Sequence, residues 1–354
     1  MDANNRNNEL LSRFALDLPV TKVSPLGEGF INDTFIVEGP DGPEYILQRK
    51  NKNVFPDVEA MMDNIARVTA YIRRFERETL TIVPSRDGRL FYQDAEGEYW
   101  AVCKFIKDSL AYSVADSAEL VRQGGLGLGN FHCCVKDFNE PLTEIIKGFH
   151  NIRWRFTQWD ESISKDAAGR VASLSEEISW IESRRQQMLD FWKLYETGVL
   201  PSRVIHGDTK ISNFLFNKAD GAYLCAIDLD TLMRSTLLCD VGDALRAYTN
   251  TGREDEAELS KVSMSMDYFR AYISGYLGVM KPYLNEAELR YLAFSGIYIT
   301  FEQVLRFLMD YIDGDVYYKT AYPDHNLVRT RAQYALLQSM ESQLAEMEDF
   351  VRTF

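Results

Sequence analysis

Apolar residues change their rhythm once along this chain. From Val20 to Ile106 they fall in short runs: Val20–Leu26, Thr34–Val37, Glu44–Lys50, Leu80–Pro84, Arg89–Gln93 and Tyr99–Ile106. Turn formers separate these runs (Gly39 to Pro43, Arg86-Asp87-Gly88, Asp94 to Gly97), so the pattern predicts a series of strands. One helical window interrupts them. Between Pro56 and Phe75, Val58, Met61, Met62, Ile65, Val68, Ile72 and Phe75 recur at helical spacing behind Asp57 and Glu59. Beyond residue 109 the spacing turns helical, over Ser117–Val135, Leu174–Tyr195, 262–282, 286–312 and 326–352. Residues 1–18 read as a helical lead-in, and 141–170 as an irregular basic and aromatic segment, either a surface insertion or the lip of a cleft. The change of rhythm predicts an α+β chain with a small β-rich lobe, 1–108, and a larger, mainly helical lobe, 109–354.

The helical half is broken once, by VIHGDTKISNFLFNKADGAYLCAIDLD from Val204 to Asp230. A short apolar entry ends at His206-Gly207-Asp208, Asn213 follows, and two apolar runs around the turn Asn217–Gly221 end in Asp228. The spacing predicts a loop followed by a β-hairpin, with two carboxylates and an amide carried to one place. Such a set suits phosphoryl transfer: Asp208 can accept the proton of an attacking hydroxyl, while Asn213 and Asp228 offer the hard oxygens that Mg²⁺ prefers. Lys210 is placed to lean on the transferring group. Taken singly, Asp208 and Asn213 are also ordinary turn formers and Asp228 an ordinary cap. In the first lobe, Gly27 and Gly29 lie between two strands, ahead of Asn32. That spacing reads as a plain hairpin turn or as a close backbone approach to phosphates. Further on, the glycines of GGLGLGNFH lack a preceding strand and are expected to let one helix pack closely on another. Asp240 opens a helical stretch and is expected to cap it.

D-x-K-x-x-N followed by a hairpin and a strand-ending Asp resembles the catalytic loop and metal-binding Asp of the protein-kinase-like fold. With Gly207 where protein kinases have Arg, H-G-D-x-x-x-x-N…I-D looks like the aminoglycoside phosphotransferase and choline kinase branch. LGEGFINDTF, EYILQRKN, HGDTKISN, AIDLDT, DVGDALR and YPDHNLVRTR, in this order, resemble the bacterial N-acetylhexosamine 1-kinases. The resemblance implies a two-lobed kinase-like fold and transfer of the ATP γ-phosphate, with Mg²⁺, to the anomeric hydroxyl of N-acetylglucosamine or N-acetylgalactosamine. It implies Asp208 as base with Lys210 beside it, and Asn213 and Asp228 as metal ligands. Likeness to kinase-like folds also implies that Asp240, instead of capping its helix, braces the backbone of the loop before it. Gly27, Gly29 and Asn32 fall in the nucleotide-covering turn. Phe105 to Asp108, with Ile106, forms the hinge that meets adenine. Gln48 stands where the phosphate-holding lysine is usual, and Lys50, Arg49 or Lys104 is open as its replacement. Arg306, Tyr317 and Asp230 fall toward the acceptor, with the 154–159 aromatics offered to its ring. Other acceptors on the same fold (choline, ethanolamine, homoserine or another sugar) and an inactive binding protein are the alternatives.

Composition narrows the field further. Apolar residues at 46% and aromatics at 12% of 354 residues can fill about two domains and exclude disorder. A net charge of -14 argues against nucleic acid or an anionic membrane as partner. The apolar run Tyr291–Phe301 is too short to span a bilayer, and MDANNRNNEL lacks the pattern of a signal peptide. A cytoplasmic enzyme, monomeric or weakly oligomeric, is expected. The five cysteines show no C-x-x-C spacing and are expected to be buried thiols, and no P-loop motif occurs.

Overall fold

The computed structural model describes residue 7, residues 9–27 and residues 31–354. The chain divides into two compact units. The first comprises Met1–Leu110, Asp137–Lys147 and Leu215–Met233; the second comprises Ala111–Lys136, Gly148–Phe214 and Arg234–Phe354.

The first unit is built on an antiparallel sheet with strands β1 (Lys22–Pro25), β2 (Asp33–Gly39), β3 (Gly42–Lys50), β4 (Ile82–Val83), β5 (Tyr92–Gln93) and β6 (Tyr99–Lys104). Their order is β1-β2-β3-β6-β4, with β5 also on β6. Alternation along β3 sends Tyr45 and Leu47 into a core with Val37, Val83, Trp100 and Val102, closed by Leu10, Leu11 and Phe14. Gln48 and Lys50 therefore share the other face. The runs 80–84 and 89–93 yield only two-residue strands, because Ser85 turns the chain instead: its hydroxyl and amide both bond the Arg89 carbonyl. Helix α1 (Val58–Arg73) begins where expected, with Asp57 accepting from the Ala60 amide at 2.9 Å. Its Asn64 exchanges two hydrogen bonds with the backbone of Thr143, fastening residues 137–147 to this unit.

In the second unit, α2 (Ala118–Val135) and α7 (Met266–Met280) lie back to back. A Cβ on Gly125 would sit 2.1 Å from the Tyr272 carbonyl oxygen, and one on Gly275 2.1 Å from that of Arg122. The glycines thus serve helix contact, as the sequence implied. Helix α9 (Leu292–Asp313) is wrapped by α6 (Leu238–Thr249) and α10 (His325–Thr353). It is the one described helix long and apolar enough to cross a membrane, and 83% of its most apolar window is buried inside the protein.

Four expectations need correction. Residues 141–170 are irregular only in part: 141–151 form no helix or strand, but Ile152–Lys165 forms helix α3, whose Ile152, Phe156 and Trp159 are buried at helical spacing. The window 174–195 is two helices, α4 (Ser175–Glu182) and α5 (Arg185–Glu196). The Arg184 amide tightens onto the Ile181 carbonyl there, while its guanidinium is drawn to Glu341. The window 286–312 likewise divides into α8 (Glu286–Arg290), opened by an Asn285–Glu288 capping box, and α9. Cys225 and Cys239 are buried as expected, whereas Cys103, Cys133 and Cys134 keep partial access; none forms a disulfide.

Candidate active site

Strand β8 (Arg203–Ile205) delivers the chain to His206-Gly207-Asp208 within the second unit. What fixes the loop is a face of α6. Asp240 does not cap that helix, because Leu237 holds the cap position; the aspartate lies in the first turn and turns back on the loop. Its Oδ2 accepts from the His206 amide at 2.7 Å and from His132 Nε2 at 2.9 Å, and its Oδ1 accepts from the Gly207 amide at 2.8 Å. One turn on, Asp243 accepts from the Thr209 amide at 2.8 Å and is held from behind by Arg246. The bracing role is thus the one realised. Burial works to raise the Asp240 carboxyl, but His132, His206 and the amide donors outweigh it and keep it below the usual carboxylate range.

Gly207 has φ +85°, a conformation open to glycine. Its carbonyl accepts from His150 Nε2 at 3.1 Å, and His150 Nδ1 meets Glu302 Oε2 at 3.0 Å. Held this way, the loop presents Asp208 beside Lys210, Nζ to Oδ2 at 2.7 Å. Asn213, at the end of a single 3-10 turn, donates through Nδ2 to the Asp208 carbonyl at 2.9 Å. Burial raises the Asp208 carboxyl, yet the Lys210 ammonium, with His206 and Asn213, brings it below its ordinary value. Asp208, Lys210 and Asn213 are therefore gathered by one loop.

Strands β9 (Phe214–Asn217), which enters the first unit at Leu215, and β10 (Tyr223–Ala226) form the expected hairpin, and Asn217 and Phe216 pair with the short strand β7 (Ser109–Leu110). Asp228 follows β10 in the left-handed region, φ 57°, and Asp230 lies in the next 3-10 turn. Asp230 receives Lys50 Nζ on both oxygens, at 2.8 and 2.9 Å, and Asn32 Nδ2 at 2.7 Å. The third Lys50 contact is Gln48 Oε1 at 2.8 Å. Lys50 is only 3% exposed. Burial pulls its ammonium down, but Asp230, and then Asp228, outweigh that and raise it. Of the three cations open as replacements, Arg49 is spent on Asp33 and Lys104 on Asp17 at the surface, so Lys50 alone faces the acidic end of the hairpin. Asn32 is anchored by the Asn51 amide. Gly27 has φ +68°; Gly29 lies outside the described residues. At the hinge, the Phe105 amide bonds the Glu44 carbonyl and the Ile106 carbonyl accepts from Ser109 Oγ.

Arg306 and Tyr317 do meet, within the second unit. The Arg306 guanidinium lies 5.3 Å from the Phe149 ring centre, 5.7 Å from Tyr317 and 5.6 Å from Tyr318. Asp310, one turn along α9, shapes the loop that carries the tyrosines by accepting from the amides of Val316, Tyr317 and Tyr318. Tyr317 stays 50% exposed. Of the 154–159 aromatics, Phe156 and Trp159 do not stand ready for a ligand as expected, since both belong to the core under α3. Sequence reasoning missed His132, His150, Glu302 and Phe149, which come to the site from distant positions. Asp243 was legible, being one helical turn beyond Asp240.

The architecture has counterparts among solved structures. A microcompartment-associated aminopropanol kinase superposes with a TM-score of 0.66 at 16% identity, covering 97% of this chain and 98% of the other. An aminoglycoside phosphotransferase from Alicyclobacillus acidocaldarius gives 0.64 at 13% identity, over 98% and 96%. Amicoumacin kinase, in complex with AMP-PNP, Ca²⁺ and Ami, gives 0.62 at 14% identity, over 99% and 94%. At these identities the likeness is one of fold: a kinase-like arrangement with a β-rich N-terminal sheet and a helical C-terminal part. The sequence itself carries the assignment further, because the profile of the phosphotransferase enzyme family matches residues 22–283, a span that contains both the Lys50 strand and the His206–Asn213 loop. This chain belongs to that family, APH, the phosphotransferase enzyme family.

Proposed function

We propose that the chain is an ATP- and Mg²⁺-dependent kinase that phosphorylates the anomeric hydroxyl of N-acetylhexosamines. The observation that carries the reading is Asp208: an ionised carboxylate on a loop whose backbone is fastened by Asp240, Asp243 and His150, with an ammonium at 2.7 Å. A fixed acceptor of this kind takes the proton of a sugar hydroxyl as the hydroxyl attacks, and Lys210 offsets the charge of the transferring group. The two side chains assigned to the metal are each of a type that suits a hard cation. Asn213 spends its nitrogen on the Asp208 carbonyl, which leaves its amide oxygen, and Asp228 adds a carboxylate. The metal, when bound, neutralises charge on the phosphates. Gln48, Asn32 and the hinge 105–108 are assigned to the nucleotide, with Lys50 keeping Asp230 in place behind them. AMP-PNP in amicoumacin kinase supports a nucleoside triphosphate as donor.

For the acceptor, Arg306 and Tyr317 supply a donor and a half-exposed ring. The aminopropanol kinase brings an amino alcohol into view as a second substrate class. The Arg306 guanidinium among Phe149, Tyr317 and Tyr318 puts a positive charge beside these rings, which disfavours a cationic substrate there and favours a neutral amido sugar. Purified protein with ATP and Mg²⁺ is tested against N-acetylglucosamine, N-acetylgalactosamine, aminopropanol, ethanolamine and choline, with phosphorus NMR reading the product. A sugar 1-phosphate is expected; turnover of amino alcohols alone would sink the acceptor assignment. Asp208→Asn keeps the shape and removes the base, and is expected to lower kcat by roughly 10²–10⁴-fold.

A further inference from the structure

We infer that His150 is a positioning residue for Asp208, acting through the Gly207 carbonyl and tying the loop to the helix that carries Arg306. The inference rests on the assignment of Asp208 as base.

His150 is 6% exposed, and both ring nitrogens face acceptors: the Gly207 carbonyl at 3.1 Å and Glu302 Oε2 at 3.0 Å. A neutral imidazole has one N–H and would leave one of these buried acceptors unsatisfied, whereas an imidazolium serves both. The surroundings favour the charged ring. Burial opposes it, but Glu302 from α9, Asp243 from α6 and the Gly207 carbonyl outweigh burial and raise the group above its ordinary value. Two cations also bear on Glu302: Arg155 of α3, 3.5 Å from its Oε1, and Arg306 on α9 itself. The backbone on both sides is held as well: the His150 carbonyl accepts from Tyr298 and the Phe149 carbonyl from Arg155.

Gly207 is the residue before Asp208, and the peptide joining the two is held at its carbonyl by His150 and at its amide by His206 Nδ1, 3.3 Å away, while Asp240 holds the preceding peptide. His150 is thus the second of two clamps on the peptide that aims the carboxylate. It also links two functions. Glu302 precedes Arg306 by one helical turn on α9, and Phe149, the neighbour of His150, carries the Arg306 guanidinium on its ring. Occupation at Arg306 and the placement of Asp208 therefore share one set of contacts.

The test compares wild type, His150→Phe, His150→Gln and Asp208→Asn as full-length proteins, by kcat, KM for each substrate and kcat against pH. His150→Phe, which keeps a ring and loses the donors, is expected to lower kcat by roughly ten- to a hundredfold with the nucleotide KM unchanged. His150→Gln keeps one donor nitrogen and cannot titrate; it is expected to recover part of the loss and to abolish the fall in wild-type kcat at alkaline pH. Wild-type kcat in a folded His150→Phe protein, or the same alkaline fall in His150→Gln as in wild type, would overturn the inference. If His150→Phe does not fold, the pH profile of His150→Gln decides. An inactive Asp208→Asn beside unaffected His150 variants removes only the positioning role; an active Asp208→Asn removes the base assignment and this inference with it.

Discussion

Lys50 is tolerated in the interior because three acceptors converge on its ammonium, two oxygens of Asp230 and one of Gln48. Removing one member of such a pair leaves the other charge buried without its partner. Lys50→Met is therefore expected to destabilise the protein by about 3–5 kcal/mol, read as a lower urea midpoint at unchanged slope. The sequence made the face legible, since strand alternation puts Gln48 and Lys50 on one side. It did not reveal which cation mattered, because the deciding partner lies 180 residues away. Asp208, Lys210 and Asn213 were readable for the opposite reason, being gathered by a single short loop. The clamps on that loop were hidden: His132 and His150 come from unrelated elements, and nothing in their local sequence marks them.

Helices α2 and α7 meet backbone to backbone, with no room for a methyl group at Gly125 or Gly275. Gly125→Ala is expected to force the helices apart at a cost of about 1–3 kcal/mol, despite the higher helix propensity of alanine, and calorimetry would record a lower Tm. A Tm equal to or above wild type would contradict the close contact. The glycine-rich helix was legible because its apolar spacing and Ser117 cap were intact. The breaks at 183–184 and at Tyr291 were not: apolar periodicity runs through both, and only tertiary contacts such as Arg184 with Glu341 interrupt the helix. Within 141–170 the helix Ile152–Lys165 was missed because its charged residues obscured the buried series Ile152, Phe156 and Trp159.

Across the molecule, buried carboxylates and a buried histidine set opposite pH limits. Asp240 and Glu302 are both held below their ordinary values; for each, burial is outweighed, chiefly by His132 for Asp240 and by His150 for Glu302. Their contribution is present above the unfolded value near ~4 and is lost as pH falls through the folded one. His150 is raised, so its contribution is complete below roughly 6.5 and is lost as pH rises through its folded value. Thermal unfolding followed from pH 3 to 10 is expected to give a maximum between these limits, and Glu302→Gln is expected to remove much of the alkaline decline. A midpoint that kept rising above neutrality would contradict the assignment of His150.

The first compact unit is threaded from three separate stretches, the last of which brings Asp228 and Asp230 to strands made more than a hundred residues earlier. A gene split after residue 110 would hand one fragment a sheet without its acids and the other a hairpin without its sheet. Chimeras with a relative must accordingly exchange 137–147 and 215–233 together with the N-terminal segment. Fragment complementation would succeed only where the pieces respect that grouping.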